Sequence, residues 1–205
     1  MMQRRMLLGM ASTVLLVTAP GIFRHARAGL DGDHAATFIK DIGDKLVAVI
    51  NGPGATPEKR AAVTPIIEAA VDVDGVARFC LGRFWRTASA DEQREYVDAF
   101  HAMLVNNIAG TIGDYQGVRF TVGRVQQRDD AEVVATTIER PNNQPSRVDW
   151  LIADVAGGPK IEDMIAEGAS LRLTQRNDTT AFLARNGNNV RTLIDTMRRK
   201  MAANG

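Results

Sequence analysis

Apolar positions follow two periods along this chain: helical spacing from about residue 33 to 108, and strict alternation from 118 to 166, after which the helical period returns. Phe38, Ile42, Leu46, Val49 and Ile50 predict a first amphipathic helix over 33–50, which Asn51-Gly52-Pro53-Gly54 ends. Thr56-Pro57 is a cap and first-turn pair for a second helix. Its stripe is Val63, Ile66, Ile67 and Ala70, and Pro65 is expected to bend or divide it. A third stripe, Ala77, Leu81, Phe84 and Trp85, stops at a corner. There Ser89 with Glu92 three residues on forms a capping box for a fourth helix, whose stripe runs through Tyr96, Val97, Phe100, Met103, Leu104, Asn107 and Ile108.

In the alternating region, Val118, Phe120 and Val122 mark a first strand. Three more are expected at 132–139, 147–154 and 160–166, after turns at Asp129-Asp130, Pro141–Pro145 and Gly157-Gly158-Pro159. Connections this short predict an antiparallel meander with Val148, Trp150 and Ile152 on its clearest apolar face. From Ser170 the helical period resumes through Leu171, Leu173, Phe182 and Leu183. After Asn186-Gly187 a last helix carries Val190, Leu193, Ile194, Met197 and Met201. The expected fold is α+β, with several helices packed on a twisted four-stranded antiparallel sheet.

Composition adds compartment and partner class. Residues 1–28 read as an export signal: Arg4-Arg5, an apolar run from Met6 to Ile22, and Ala26-Arg27-Ala28 as the cleavage site, with Ala28 its last residue. The remaining 29–205 read as one domain. With 45% hydrophobic but only 5% aromatic residues, its interior should be mainly aliphatic. Removing residues 1–28 takes away four arginines and no acidic residue, leaving 21 basic against 24 acidic groups, a formal −3. No concentrated basic run appears in the sequence, so a nucleic-acid partner is not expected. Arg198-Arg199-Lys200 is read as a solvated helix end. Cys80 is the single cysteine, which precludes an internal disulfide; it is expected to be a small buried hydrophobe.

Residues for catalysis are sparse. His101 falls beside the apolar stripe of its helix and is expected to face solvent, and no histidine or cysteine spacing suits a metal. Asp154, Glu162 and Asp163 lack the loop spacing of a calcium site and are assigned to solvated surface. A cone-shaped enzyme with Tyr115 and Asp149 performing proton transfer on a lipophilic substrate is one alternative, although Asp149 should point away from the helices.

Two separated segments carry a resemblance. LGRFWRTASADEQREYVDAF, residues 81–100, and DMIAEGASL, residues 163–171, resemble in order and distance the two motifs of the MlaC family, periplasmic phospholipid shuttles also called toluene-tolerance auxiliary proteins. Ala169 stands where the family more often has Val or Ile. The resemblance covers roughly residues 35 to 200. It implies an apolar pocket for acyl chains between helices and sheet, no cofactor, no metal, no catalysis, and a monomer. The implied partners are a phospholipid, an inner-membrane ABC lipid transporter with an MCE-domain subunit, and an outer-membrane lipoprotein-porin complex. The pocket wall is expected from Ile66, Ile67, Phe84, Phe100, Leu104, Phe120, Val122, Trp150, Ile152, Met164 and Ile165, with Arg83 and Arg86 near the headgroup. A hopanoid or other apolar lipid as cargo, and a non-lipid periplasmic adaptor or chaperone, are the other classes.

Overall fold

The computed structural model describes residues 31–204; the export signal expected at 1–28 lies outside the described residues. Helix α1 (Gly32–Asn51) begins at Asp31, whose carboxylate accepts from the His34 N–H at 2.8 Å. Helix α2 (Thr56–Ala70) begins one residue earlier than the Thr56-Pro57 pair suggests, with the Glu58 carboxylate accepting from the Ala55 N–H at 3.1 Å. Pro65 does not divide it. Pro65 is exposed, so the carbonyl that loses its donor faces water.

Helix α3 (Val73–Leu81) is capped by Asp72, and at its end Gly82, with φ +60°, turns the chain into a 3₁₀ segment, Gly82–Arg86. Helix α4 (Ala90–Gly110) then starts at the capping box read from the sequence: the Ser89 N–H donates to Glu92 at 2.9 Å, and the Glu92 N–H donates to Ser89 Oγ at 3.2 Å. A second 3₁₀ turn, Ile112–Tyr115, leads into the sheet.

Strands β1 (Arg119–Arg128), β2 (Ala131–Glu139), β3 (Ser146–Val155), β4 (Gly158–Ala166) and β5 (Ala169–Ser170) form one antiparallel meander in sequence order. The sheet therefore has five strands where four were expected. The fifth is two residues long, too short for an alternating pattern to register. Cross-strand register puts Val122, Thr136 and Val148 in one row and Val134, Trp150 and Met164 in the next, so these side chains share a face. Helices α5 (Leu171–Arg185) and α6 (Val190–Asn204) close the chain.

The apolar interior is divided into three parts. A helical lobe joins α3, α4, α5 and α6 around Leu81, Phe84, Tyr96, Phe100, Leu183 and Ile194. A second part lies between α1 and the sheet around Ile39, Val134, Ile152 and Ile161. A third, around Ile50, Val63, Ile67, Ile112 and Val118, joins the end of α1 to α2 and the start of the sheet.

Two polar groups in the helical lobe make predictions. The Tyr96 hydroxyl is buried beside Thr179 without completing a hydrogen bond. An unsatisfied buried hydroxyl costs about 1–3 kcal/mol. Tyr96→Phe should therefore raise the urea midpoint, by about 1 kcal/mol of stability; a loss of stability would show that the hydroxyl is satisfied.

Cys80 is fully buried, its thiol 3.6 Å from the Arg172 carbonyl. Burial pushes its pKa up from 9.0 to about 12, against the opposing pull of Arg172 and Arg176. Native protein at pH 8 should resist alkylation, while urea-unfolded protein reacts at once. Because the folded pKa is the higher one, the associated stability is complete below about pH 9 and is lost as pH rises toward 12. Fast native labelling at pH 8 would contradict this.

Candidate functional site

The candidate site is the layer between α1 and the sheet. Ala35 and Ile39 are buried against Val134 and Ile152, forming a central ridge of contact. On its flanks Phe38, Ile42, Phe120, Val122, Val125 and Trp150 stay only half-buried. Two of the layer's polar side chains are paired, while the buried carboxylate of Glu132, opposite Ile152, faces the start of α1. The Trp150 indole N–H donates to Thr136 Oγ1 at 2.9 Å, and the Thr136 hydroxyl donates to the Val148 carbonyl at 2.9 Å. Away from Glu132 the sheet offers this layer mainly hydrocarbon and ring surface.

Gly43 explains how close α1 comes. A Cβ there would overlap three carbons of the Phe120 ring, so only glycine lets the ring come this close to the helix. The C-terminal end of α1 is fixed. Buried Lys59 of α2 donates from Nζ to the Ile50 carbonyl at 2.6 Å. The Asn51 amide donates to the Val118 carbonyl at 3.0 Å and accepts from the Gly117 N–H at 2.8 Å.

The expected wall residues do not form one surface. Phe120, Val122, Trp150 and Ile152 meet in the layer under α1, and Met164 stands opposite Trp150 in register. Ile67 belongs to the neighbouring cluster at the end of α1, with half-buried Ile66 one position away on α2. Phe84, Phe100 and Leu104 instead pack in the helical lobe against α5 and α6, which removes them from the sheet-facing layer. The stripe on α4 was visible in the sequence, but a stripe does not say which element covers it. Ile165 is a second correction: it is paired with Asp149, on the face opposite Trp150, because adjacent residues of a strand cannot face the same way.

Arg83 and Arg86 are exposed on the 3₁₀ turn after α3 and line a groove of about 520 Å³ that contains no sheet residue. Tyr115 packs near Ile50 and Val63 with Arg140 stacked on its ring, whereas Asp149 pairs with Arg147 on the far face of the sheet. The two groups of the enzymatic alternative do not converge. His101 is half-exposed, as expected of a histidine facing solvent, and its Nε2 lies 3.2 Å from Glu68 Oε1, a surface contact between α4 and α2.

Asp163 corrects its assignment to solvated surface. It is buried on β4, and its carboxylate accepts from the N–H of Met164 at 2.9 Å, the N–H of Arg172 at 3.0 Å and the hydroxyl of Ser170 at 2.6 Å. The Arg172 guanidinium lies 3.7 Å away and also reaches Glu162 at 3.3 Å. The Ser170 hydroxyl in turn accepts from the Leu173 N–H at 3.1 Å. One carboxylate thus ties β4, β5 and the first turn of α5 together, which gives the 163–171 motif a structural reason. An acid among Ile161, Met164 and Ile165 was the sequence signal for a buried, partnered group. Among the described residues, no three acidic, histidine or cysteine side chains are placed to hold a metal ion.

Comparison with known proteins places this arrangement. The family model described as MlaC protein matches residues 40–199, most of the chain. The chain belongs to the MlaC family. A phospholipid-binding protein from Ralstonia solanacearum, solved in complex with a phospholipid, shares the fold with a TM-score of 0.73. It is 22% identical in sequence, and the match covers 83% of this chain and 98% of that one. The α+β architecture of helices on a five-stranded antiparallel meander is therefore one shared with a solved structure. Both segments that carried the resemblance lie within the matched region, and each has a local structural role in this MlaC-family chain: a helix cap at Ser89 and the carboxylate node at Asp163.

Proposed function

We propose that the protein is an exported phospholipid carrier that works without catalysis. It holds acyl chains against the α1-facing side of its sheet and shuttles the lipid through the periplasm between an inner-membrane ABC lipid transporter and an outer-membrane lipoprotein-porin complex. The observation that carries this reading is membership of the MlaC family over 40–199. The half-buried apolar layer under α1 supports it, because that surface suits hydrocarbon.

The job requires only burial. An acyl chain gains about 0.8 kcal/mol per methylene on leaving water, so a sixteen-carbon tail gains roughly 12 kcal/mol before the cost of ordering it. Escape into water is slow as a result. Transfer to a complex that offers equivalent apolar surface is not opposed by that term, so direction comes from the partners. Protein stripped of lipid and incubated with phospholipid vesicles should return a near-stoichiometric amount of phospholipid on solvent extraction. Recovery of a polar metabolite and no lipid would overturn the reading.

A further inference from the structure

The groove that holds Arg83 and Arg86 has a composition the lipid layer does not use. Four guanidiniums, those of Arg78, Arg83, Arg86 and Arg176, line it with Phe79 and Trp85. Among the described residues none of the four pairs with a carboxylate, whereas nearby Arg172 and Arg191 do. Three of them stack on rings instead: Arg78 over Trp85 at 5.4 Å, Arg83 over Phe84 at 4.8 Å, and Arg176 over Phe79 at 4.7 Å. Gly82 makes room for this, since a Cβ there would stand 3.3 Å from the Arg176 guanidinium. Four unpaired cations concentrated in one place, on a domain of formal charge −3, leave a local field that an anion would neutralise.

The neighbouring surface decides what kind of anion. Trp85 also lines a second cleft, of about 750 Å³. There Arg94 and Arg191 are paired with Asp91 and Glu95, while Asp74 and Asp98 have no cationic partner among the described residues. A bilayer surface presents one sign of charge and would meet repulsion at that acidic cleft. A protein surface can match both signs. An open groove flanked by arginines and aromatic side chains also has the residue types that dominate protein interfaces, and it lacks the buried converging donors of a small phosphate site.

We infer that the face around Trp85 docks a partner protein, through a segment whose acidic side chains enter the arginine groove. The inference stands on the charge and shape of this face, not on lipid binding. In the carrier reading it would be the surface by which a membrane complex recognises the protein.

The test uses a fluorescein-labelled peptide of glutamates interspersed with leucines, its lysine counterpart, and phosphatidylglycerol vesicles. Fluorescence anisotropy should show the acidic peptide binding the full domain, more weakly as salt rises, with the lysine peptide binding at least tenfold more weakly. Arg78→Glu with Arg176→Glu should cost at least tenfold in peptide affinity while extractable lipid stays unchanged. Arg78→Glu alone, at an exposed position, should give a smaller loss in the same direction if the pair perturbs folding. Equal binding of both peptides would overturn the inference. So would unchanged affinity in the variants, or vesicle binding through the same arginines that exceeds peptide binding. Because peptide affinity and lipid content are read separately, failure of one does not decide the other.

Discussion

Gly43→Leu is expected to empty the protein of lipid while leaving most of its fold in place. Gly43 is the point where the Phe120 ring lies against α1, and any Cβ there overlaps that ring. A leucine must push the ring out toward Val122 and Trp150, into the layer where the acyl chains are proposed to lie. Overpacking of this kind costs about 1–3 kcal/mol, partly offset by the roughly 1 kcal/mol that replacing a mid-helix glycine returns. Circular dichroism should therefore stay near that of the parent protein, while extractable phospholipid per mole falls several-fold. A variant that loads as much lipid as the parent would place the tails elsewhere.

Asp163→Ala should have the largest effect on stability. It leaves the N–H groups of Met164 and Arg172 and the Ser170 hydroxyl without their acceptor, and it removes the carboxylate nearest the Arg172 guanidinium. Breaking a buried, hydrogen-bonded ionic group by deleting one side costs about 3–5 kcal/mol. That is a large share of the stability of a domain this size. Asp163→Asn, which keeps one carbonyl oxygen for the two backbone donors, should lose clearly less. Urea denaturation of the three proteins checks the order, and a difference below about 1 kcal/mol between parent and alanine variant would contradict the role given to the node.

Element types were legible because each has a local cause. The Asn51–Gly54 break, the Ser89–Glu92 box and the alternation around Trp150 depend on neighbours in sequence, and each recurs in the structure. The division of the interior was not legible. The stripe containing Phe100 could have faced the sheet or another helix, and only the tertiary arrangement puts α6 over it. Placing both Met164 and Ile165 on one wall ignored the two-residue period of a strand, which the sequence itself supplied. Gly43 was readable in principle: a glycine in mid-helix carries a propensity penalty, and close approach of another element is the usual reason to bear it. For Asp163 the legible signal lies in Ile161, Met164 and Ile165 around it, which mark an acid that is buried and partnered.

The clasp at Asn51 and Lys59 gives α1 the mechanics of a lever. Twenty residues of helix span roughly 30 Å, so a tilt of about ten degrees about the clasped end would lift the far end by about 5 Å, roughly the thickness of one hydrocarbon chain. The contacts of Ala35, Ile39 and Gly43 with Val134, Ile152 and Phe120 would part, while the packing among α3, α4, α5 and α6 stayed as it is. In the carrier reading, admitting cargo of variable girth would then work one hinge rather than the whole body of the protein.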